Sequence, residues 1–343
     1  MDVRQRLGEL LMVGFMGQEM TADLASHILE LQPAGLIFFS RNIRDPVQVA
    51  RLTWEIQNLA LRELGRPLFL AVDQEGGSVA RMGPPFSQIP HAIDLGSSGS
   101  EQASHYYGIT AGEMSLVGLN LNLAPVLDVS YGEVMERRSF GRNPSVVAQC
   151  GIAAIRATQS AGIIATAKHF PGLGRTRKDP HHDLPVISAD RDELDRYDLP
   201  PFQAAIQADV ACMMTSHTIY TALDPEYPGT FSRAIISDLL RDELGFGGVV
   251  ITDDLEMGAV LERYSQGAAT IAALKAGADL LLVCNDLKKI SQTAEALSNG
   301  LDRGLLDPDD LTISLARVEK LRRAYLEPVN LADAEAVATH FSI

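Results

Sequence analysis

Short apolar runs alternate along the chain with longer stretches in which apolar residues recur at helical spacing. The runs cover 10–15, 34–39, 67–72, 119–127, 162–167, 210–214, 248–252 and 279–284. Near-continuous apolarity over about five or six residues, without strict polar alternation, marks strands buried on both faces. The helical stretches cover 46–64, 101–117, 145–160, 200–208, 232–244, 265–276, 287–299 and 308–326. Boundary signals agree in places: Ser232 opens one stretch as an N-cap, and Gly245 follows Leu244 as its C-terminal stop. A strand–helix unit repeated about eight times predicts a parallel sheet. Closing that sheet gives a single-domain α/β fold, the (β/α)8 TIM barrel, with an open doubly wound sheet as the alternative. No Pro-, Gly- or Ser-rich linker interrupts the pattern, so the barrel is expected over 1–326, with 327–343 as a tail.

Composition narrows the partners more than the fold. The 343 residues suit one α/β barrel, and their aliphatic content is that of a folded protein. Lys and Arg number 29 against 44 Asp and Glu, a net charge of −15. That balance, with no basic run, disfavours nucleic acid and anionic lipid surfaces, while a local basic patch could still bind an anion. Met1 to Arg6 lead into an amphipathic segment without the features of a secretion signal, and no stretch has the length and apolarity of a membrane span. Three widely spaced cysteines, Cys150, Cys212 and Cys284, argue against a disulfide scaffold or zinc ribbon and for a reducing compartment, hence the cytoplasm.

The informative feature is where polar residues fall. Phe39 gives way to Ser40-Arg41-Asn42, Val72 to Asp73-Gln74-Glu75, Leu127 to Asp128, and Ala167 to Lys168-His169. Met214 leads to Thr215-Ser216-His217, Thr252 to Asp253-Asp254, and Cys284 to Asn285-Asp286. In a barrel these strand ends converge on one mouth, where such folds place their chemistry. Strands in any fold end in polar loops, but Asp73, His169 and Asp253 each directly abut a run that reads as buried.

Two segments carry the chemistry. The loop from Lys168 to Pro185 is rich in Gly and Pro; its Gly172-x-Gly174 lacks the rest of a phosphate-binding motif. His181-His182-Asp183 lacks a third ligand at helical spacing, so no metal is expected. Asp179 and His181, two apart, can point the same way, and a carboxylate beside an imidazole favours its protonated form. Such a pair either delivers a proton to a site or is a solvated surface feature. Asp253, at a strand end, reads as an ionised nucleophile, while Asp253 or Asp254 could simply cap the helix continuing through Met257, and both roles can hold, one for each Asp.

Taken together, these segments are similar to the bacterial β-N-acetylhexosaminidases of glycoside hydrolase family 3, of the single-domain type that recycles peptidoglycan. The matching residues are 36–43, Val72-Asp73-Gln74-Glu75-Gly76-Gly77, Ala124-Pro125-Val126-Leu127-Asp128-Val129 and Arg138-Ser139-Phe140-Gly141. Lys168-His169-Phe170-Pro171-Gly172 with Asp179-x-His181, and Thr252-Asp253-Asp254-Leu255-x-Met257, complete the set.

The resemblance implies a retaining mechanism without a cofactor. Asp253 would be the nucleophile and His181, with its partner Asp179, the acid/base. Asp73, Arg81, Arg138, Lys168 and His169 would hold the acetamido sugar, and muropeptide fragments would be the substrate. Leu173, Arg175 and Pro180 depart from the family's usual His, Asp and Ser, which bears on loop motion and leaving-group preference.

The physical chemistry agrees. Glycoside cleavage needs one group at the anomeric carbon and another protonating the leaving oxygen. An imidazole reaches both of its states near neutral pH. The resemblance further implies that relatives acting on plain β-glucosides usually take their acid from a second domain, which is not expected here. Substrate-assisted hydrolysis through Asp253-Asp254, phosphorolysis, and a non-catalytic sugar-binding barrel are the alternatives.

Overall fold

Each apolar run forms a strand in the computed structural model, which describes residues 2–176 and 184–343. The strands are β1 (Leu11–Gly14), β2 (Gly35–Phe38), β3 (Phe69–Val72), β4 (Leu121–Asn122), β5 (Ile164–Phe170), β6 (Cys212–Thr215), β7 (Val249–Ile251) and β8 (Leu281–Val283). They pair in parallel in the order β7-β6-β5-β4-β3-β2-β1-β8. A parallel bridge between Ile251 and Leu280 joins the two ends. There the Thr252 N–H donates to the Leu280 carbonyl at 2.9 Å, and the Leu280 N–H to the Val250 carbonyl at 3.0 Å. The sheet is therefore a barrel, and the open alternative does not apply.

The continuous apolarity of the strands has a direct structural cause. Alternate residues such as Leu36, Phe38, Leu70 and Val72 pack with the surrounding helices. Their neighbours Ile37, Phe69 and Ala71 fill the barrel interior with Leu121, Ile164, Met214 and Ile251. Both faces are buried, so both favour apolar residues. Val318, Leu321 and Leu326 of the helix Pro308–Leu326 join the interior cluster and close one end. Behind them the buried Arg322 guanidinium donates to Glu9 at 3.0 Å. The other end, at the strand C-termini, stays open.

The segment 327–343 holds a further helix, Ala334–Phe341, which packs on Pro46–Leu59 through the fully buried Val337. All three cysteines are buried and free. Among the described residues no helix is long and apolar enough to cross a membrane.

Candidate active site

The strand C-termini surround a cavity of about 240 Å3, into which β3 contributes Asp73, β5 Lys168 and His169, and β7 Asp253. Arg81 and Arg138 reach it from loops. Six residues expected from sequence to act on substrate thus meet in one place. Asp179 and His181, together with Pro180, lie outside the described residues.

An ion-pair chain lines one wall. Gln74–Gly76 and Val79–Ala80 form a hairpin directly after β3. The Gln74 side-chain oxygen fixes its return by accepting the N–H groups of Arg81 and Met82 at 2.8 and 3.0 Å. Glu75 is thereby turned inward, where Arg138 grips it with two parallel bonds of 2.9 and 2.7 Å. Lys168 Nζ lies 2.7 Å from Glu75 Oε1 and donates to Asp73 Oδ1 at 2.8 Å. Arg81 approaches Asp73 at 3.8 Å. Burial opposes the charge on both Lys168 and Glu75, yet their partners win. The Lys168 ammonium is stabilised by Asp73 and Glu75, and the Glu75 carboxyl is driven far below its usual range by Lys168 and Arg138. The wall is a rigid array of charge-assisted donors and acceptors, suited to vicinal hydroxyls.

His169 is held just as firmly. Its Nδ1 lies 2.8 Å from Asp128 Oδ2, and the other Asp128 oxygen accepts the Leu173 N–H at 2.6 Å. A carboxylate partner keeps the proton on Nδ1 and leaves Nε2 for a ligand. Leu173 is buried and lines the cavity, packing with Val126 and Met135. Arg175 instead pairs with Asp198 at 2.8 Å and stacks over the Tyr131 ring at 4.8 Å.

Asp253 caps no helix. The next helical turn begins at Gly258 with Met257 at its N-cap position, and Asp253 Oδ1 accepts the N–H of its neighbour Asp254 at 2.8 Å. Burial alone would raise its pKa, but His169, the Asp254 N–H and Lys168 bring it below the usual carboxylate range. The group on the cavity wall is therefore an anion. His217 supports the same segment, its Nε2 3.0 Å from the Asp254 carbonyl and its Nδ1 2.8 Å from Thr230 Oγ1. A carbonyl only accepts, so Nε2 carries the proton. Burial lowers the His217 pKa, which keeps the ring neutral.

Asp254 behaves oppositely. Loss of hydration, reinforced by the charges of Glu256 and Asp253, pushes its carboxyl up to about 7. A raised acid binds its proton more tightly folded than unfolded, so this group makes stability fall as pH rises from the ordinary ~3.9 to about 7, and adds no further slope above that. Asp254→Asn is expected to melt a few degrees above the parent at pH 8, with the gap closing near pH 4. A gap independent of pH in thermal denaturation would remove the assignment.

Glu75, Asp128 and His217 have no individual role in the sequence, where they stand out as polar residues at strand ends, and Asp254 reads there as a helix cap or as a partner of Asp253. Their roles depend on partners far away in the chain, such as Arg138 for Glu75 and His169 for Asp128. Among the described residues no group of three or more potential ligands could hold a metal ion.

The model of the glycosyl hydrolase family 3 N-terminal domain matches residues 2–321. The chain belongs to glycoside hydrolase family 3. It is similar to a family 3 β-N-acetylglucosaminidase from a Paenibacillus species, with 35% identity and a TM-score of 0.91, covering all of this chain and 68% of that one. It is also similar to NagZ of Neisseria gonorrhoeae, with 29% identity and a TM-score of 0.79, over 97% of this chain and 93% of that one. The β-hexosaminidase of Thiobacillus denitrificans is 37% identical over 290 residues, covering 80% of this chain and 78% of its own length. β-Hexosaminidase A of Pseudoalteromonas piscicida is 34% identical, and there the alignment spans only 55% of the relative. As a family 3 glycoside hydrolase, the barrel carries its ion-pair wall and its Asp253 anion at the mouth such folds use for chemistry.

Proposed function

We propose that the chain is a retaining exo-β-N-acetylglucosaminidase acting in the cytoplasm on peptidoglycan fragments such as anhydro-muropeptides. The observation that carries this reading is the Asp253 carboxylate, kept ionised on the wall of the cavity at the barrel mouth. The closed end of the barrel and that volume, about 240 Å3, against the ~300–1,000 Å3 common for ligand sites, favour removal of one terminal residue. Preference for an acetamido sugar rests on the named activities of the similar proteins.

In the first step Asp253 attacks the anomeric carbon, forming a glycosyl ester as the bond to the leaving oxygen breaks. His181, protonated beside Asp179, gives that oxygen its proton. In the second step the neutral imidazole takes a proton from water, which attacks the same carbon and releases Asp253 as a carboxylate. Asp73, Arg81, Arg138, Lys168 and His169 hold the ring through its hydroxyls.

A panel of chromogenic glycosides tests the reading. The β-N-acetylglucosaminide should be cleaved well ahead of the glucoside and the N-acetylgalactosaminide, and a preference for glucoside would overturn it. On the same panel His181→Ala should lose roughly 10²–10⁴-fold on a disaccharide and far less on an aryl glycoside with a good leaving group. Equal losses on both would remove His181 as the acid.

A further inference from the structure

The loop after β8 is held more tightly than its exposure requires. The Glu256 carboxylate accepts the backbone N–H groups of Cys284, Asn285 and Asp286 at 2.7, 2.5 and 2.9 Å. From the opposite side, Arg41 donates to the Cys284 carbonyl at 2.6 Å, to the Phe15 carbonyl at 3.0 Å and to Asn285 Oδ1 at 2.8 Å. β1 approaches so closely that a Cβ at Gly14 would sit 1.8 Å from the Cys284 oxygen. One carboxylate and one guanidinium thus lace the ends of β7, β8, β1 and β2 together at the rim of the cavity.

The lacing fixes the orientation of one amide. A guanidinium only donates, so the atom of Asn285 that meets Arg41 is its oxygen, and the amide NH2 is turned away from Arg41. Asn285 lines the cavity, and among the described residues its NH2 has no partner. It is also exposed, unlike Lys168 and Glu75 on the wall. A donor at the exposed rim of this cavity is placed to meet the unit bonded to a ring held over Asp253.

We propose that Asn285 is a specificity-determining residue on the leaving-group side, its amide donating to an acceptor oxygen of a sugar leaving group. The proposal rests on the exo-glycosidase reading given above. Arg41 and Glu256 are positioning residues, because they set the amide without reaching the substrate.

The test compares kcat/KM for N,N′-diacetylchitobiose with kcat/KM for the 4-nitrophenyl N-acetyl-β-glucosaminide, whose leaving group offers no hydroxyl. In Asn285→Ala the disaccharide-to-aryl ratio should fall roughly 3- to 10-fold, as for loss of one neutral hydrogen bond. Asn285→Asp keeps an acceptor for Arg41 while removing the donor, so it should lower the ratio similarly even if the alanine variant disturbs the loop. An unchanged ratio in the Asp variant, whether both substrates suffer equally or neither does, would overturn the proposal. A parent enzyme that cleaves neither substrate would instead overturn the reading beneath it.

Discussion

Asp253→Asn is expected to abolish hydrolysis, by roughly 10⁴-fold or more, in a chain that still folds and still binds the product sugar. The amide retains an oxygen for the Asp254 N–H, now 2.8 Å away, so the segment keeps its shape while losing the anion. Because the folded carboxyl lies below its usual range, Asp253 stays charged down through ordinary carboxylate pH. The acid limb of the activity profile should accordingly not extend from this group. Incubating the parent enzyme with a 2-fluoro or 5-fluoro glycosyl reagent should give a mass-shifted peptide containing Asp253, absent in the Asn variant. Unmodified protein, together with rates that track the nucleophilicity of the substrate's acetamido group, would replace direct attack with substrate assistance. Wild-type-like turnover in the variant would end the assignment outright.

The barrel was legible because burial on both faces of a strand leaves no room for polar alternation. Residues such as Leu36 and Ile37 are both buried, one against helices and one inside the barrel. Local signals therefore specified a global closure. The helix Ala22–Leu31 was missed although Thr21 caps it through the Leu24 N–H at 3.1 Å. Only Leu24 and Ile28 of this helix are buried, too few to mark a period. Of the site, residues abutting an apolar run were readable by position, because the end of a buried strand is where the chain meets the mouth. Glu75 was not, since its inward turn depends on Gln74 pinning a hairpin and on Arg138, 63 positions away. The clamp of Glu256 on the β8 loop is equally non-local, joining residues 28 to 30 positions apart through backbone groups that carry no sequence signature.

Lys168→Met should cost both stability and activity, and the two losses should separate. Lys168 is about 2% exposed, and its ammonium bridges Asp73 and Glu75. Removing it leaves Glu75 with the Arg138 fork but leaves Asp73 with only the 3.8 Å approach of Arg81. Asp73 is half-buried, so leaving its carboxylate without a close donor is expected to cost about 2–3 kcal/mol, readable by urea denaturation at pH 7. The sign with pH follows from the depressed pKa of Glu75. Its ionisation stabilises the fold above the ordinary ~4.3, and this contribution is lost as pH falls below that value toward the folded pKa. The deficit of the variant should therefore be largest at neutral pH and shrink in acid, where the carboxylates no longer need a counter-charge. Adding Asp73→Asn to Lys168→Met should recover part of the stability by removing the carboxylate left without a close counter-charge, yet leave turnover low, because the donor to the sugar is still missing. A single variant within about 1 kcal/mol of the parent at pH 7, beyond the effect of a typical surface substitution by little, would show that the ion-pair wall is not what holds this side of the cavity.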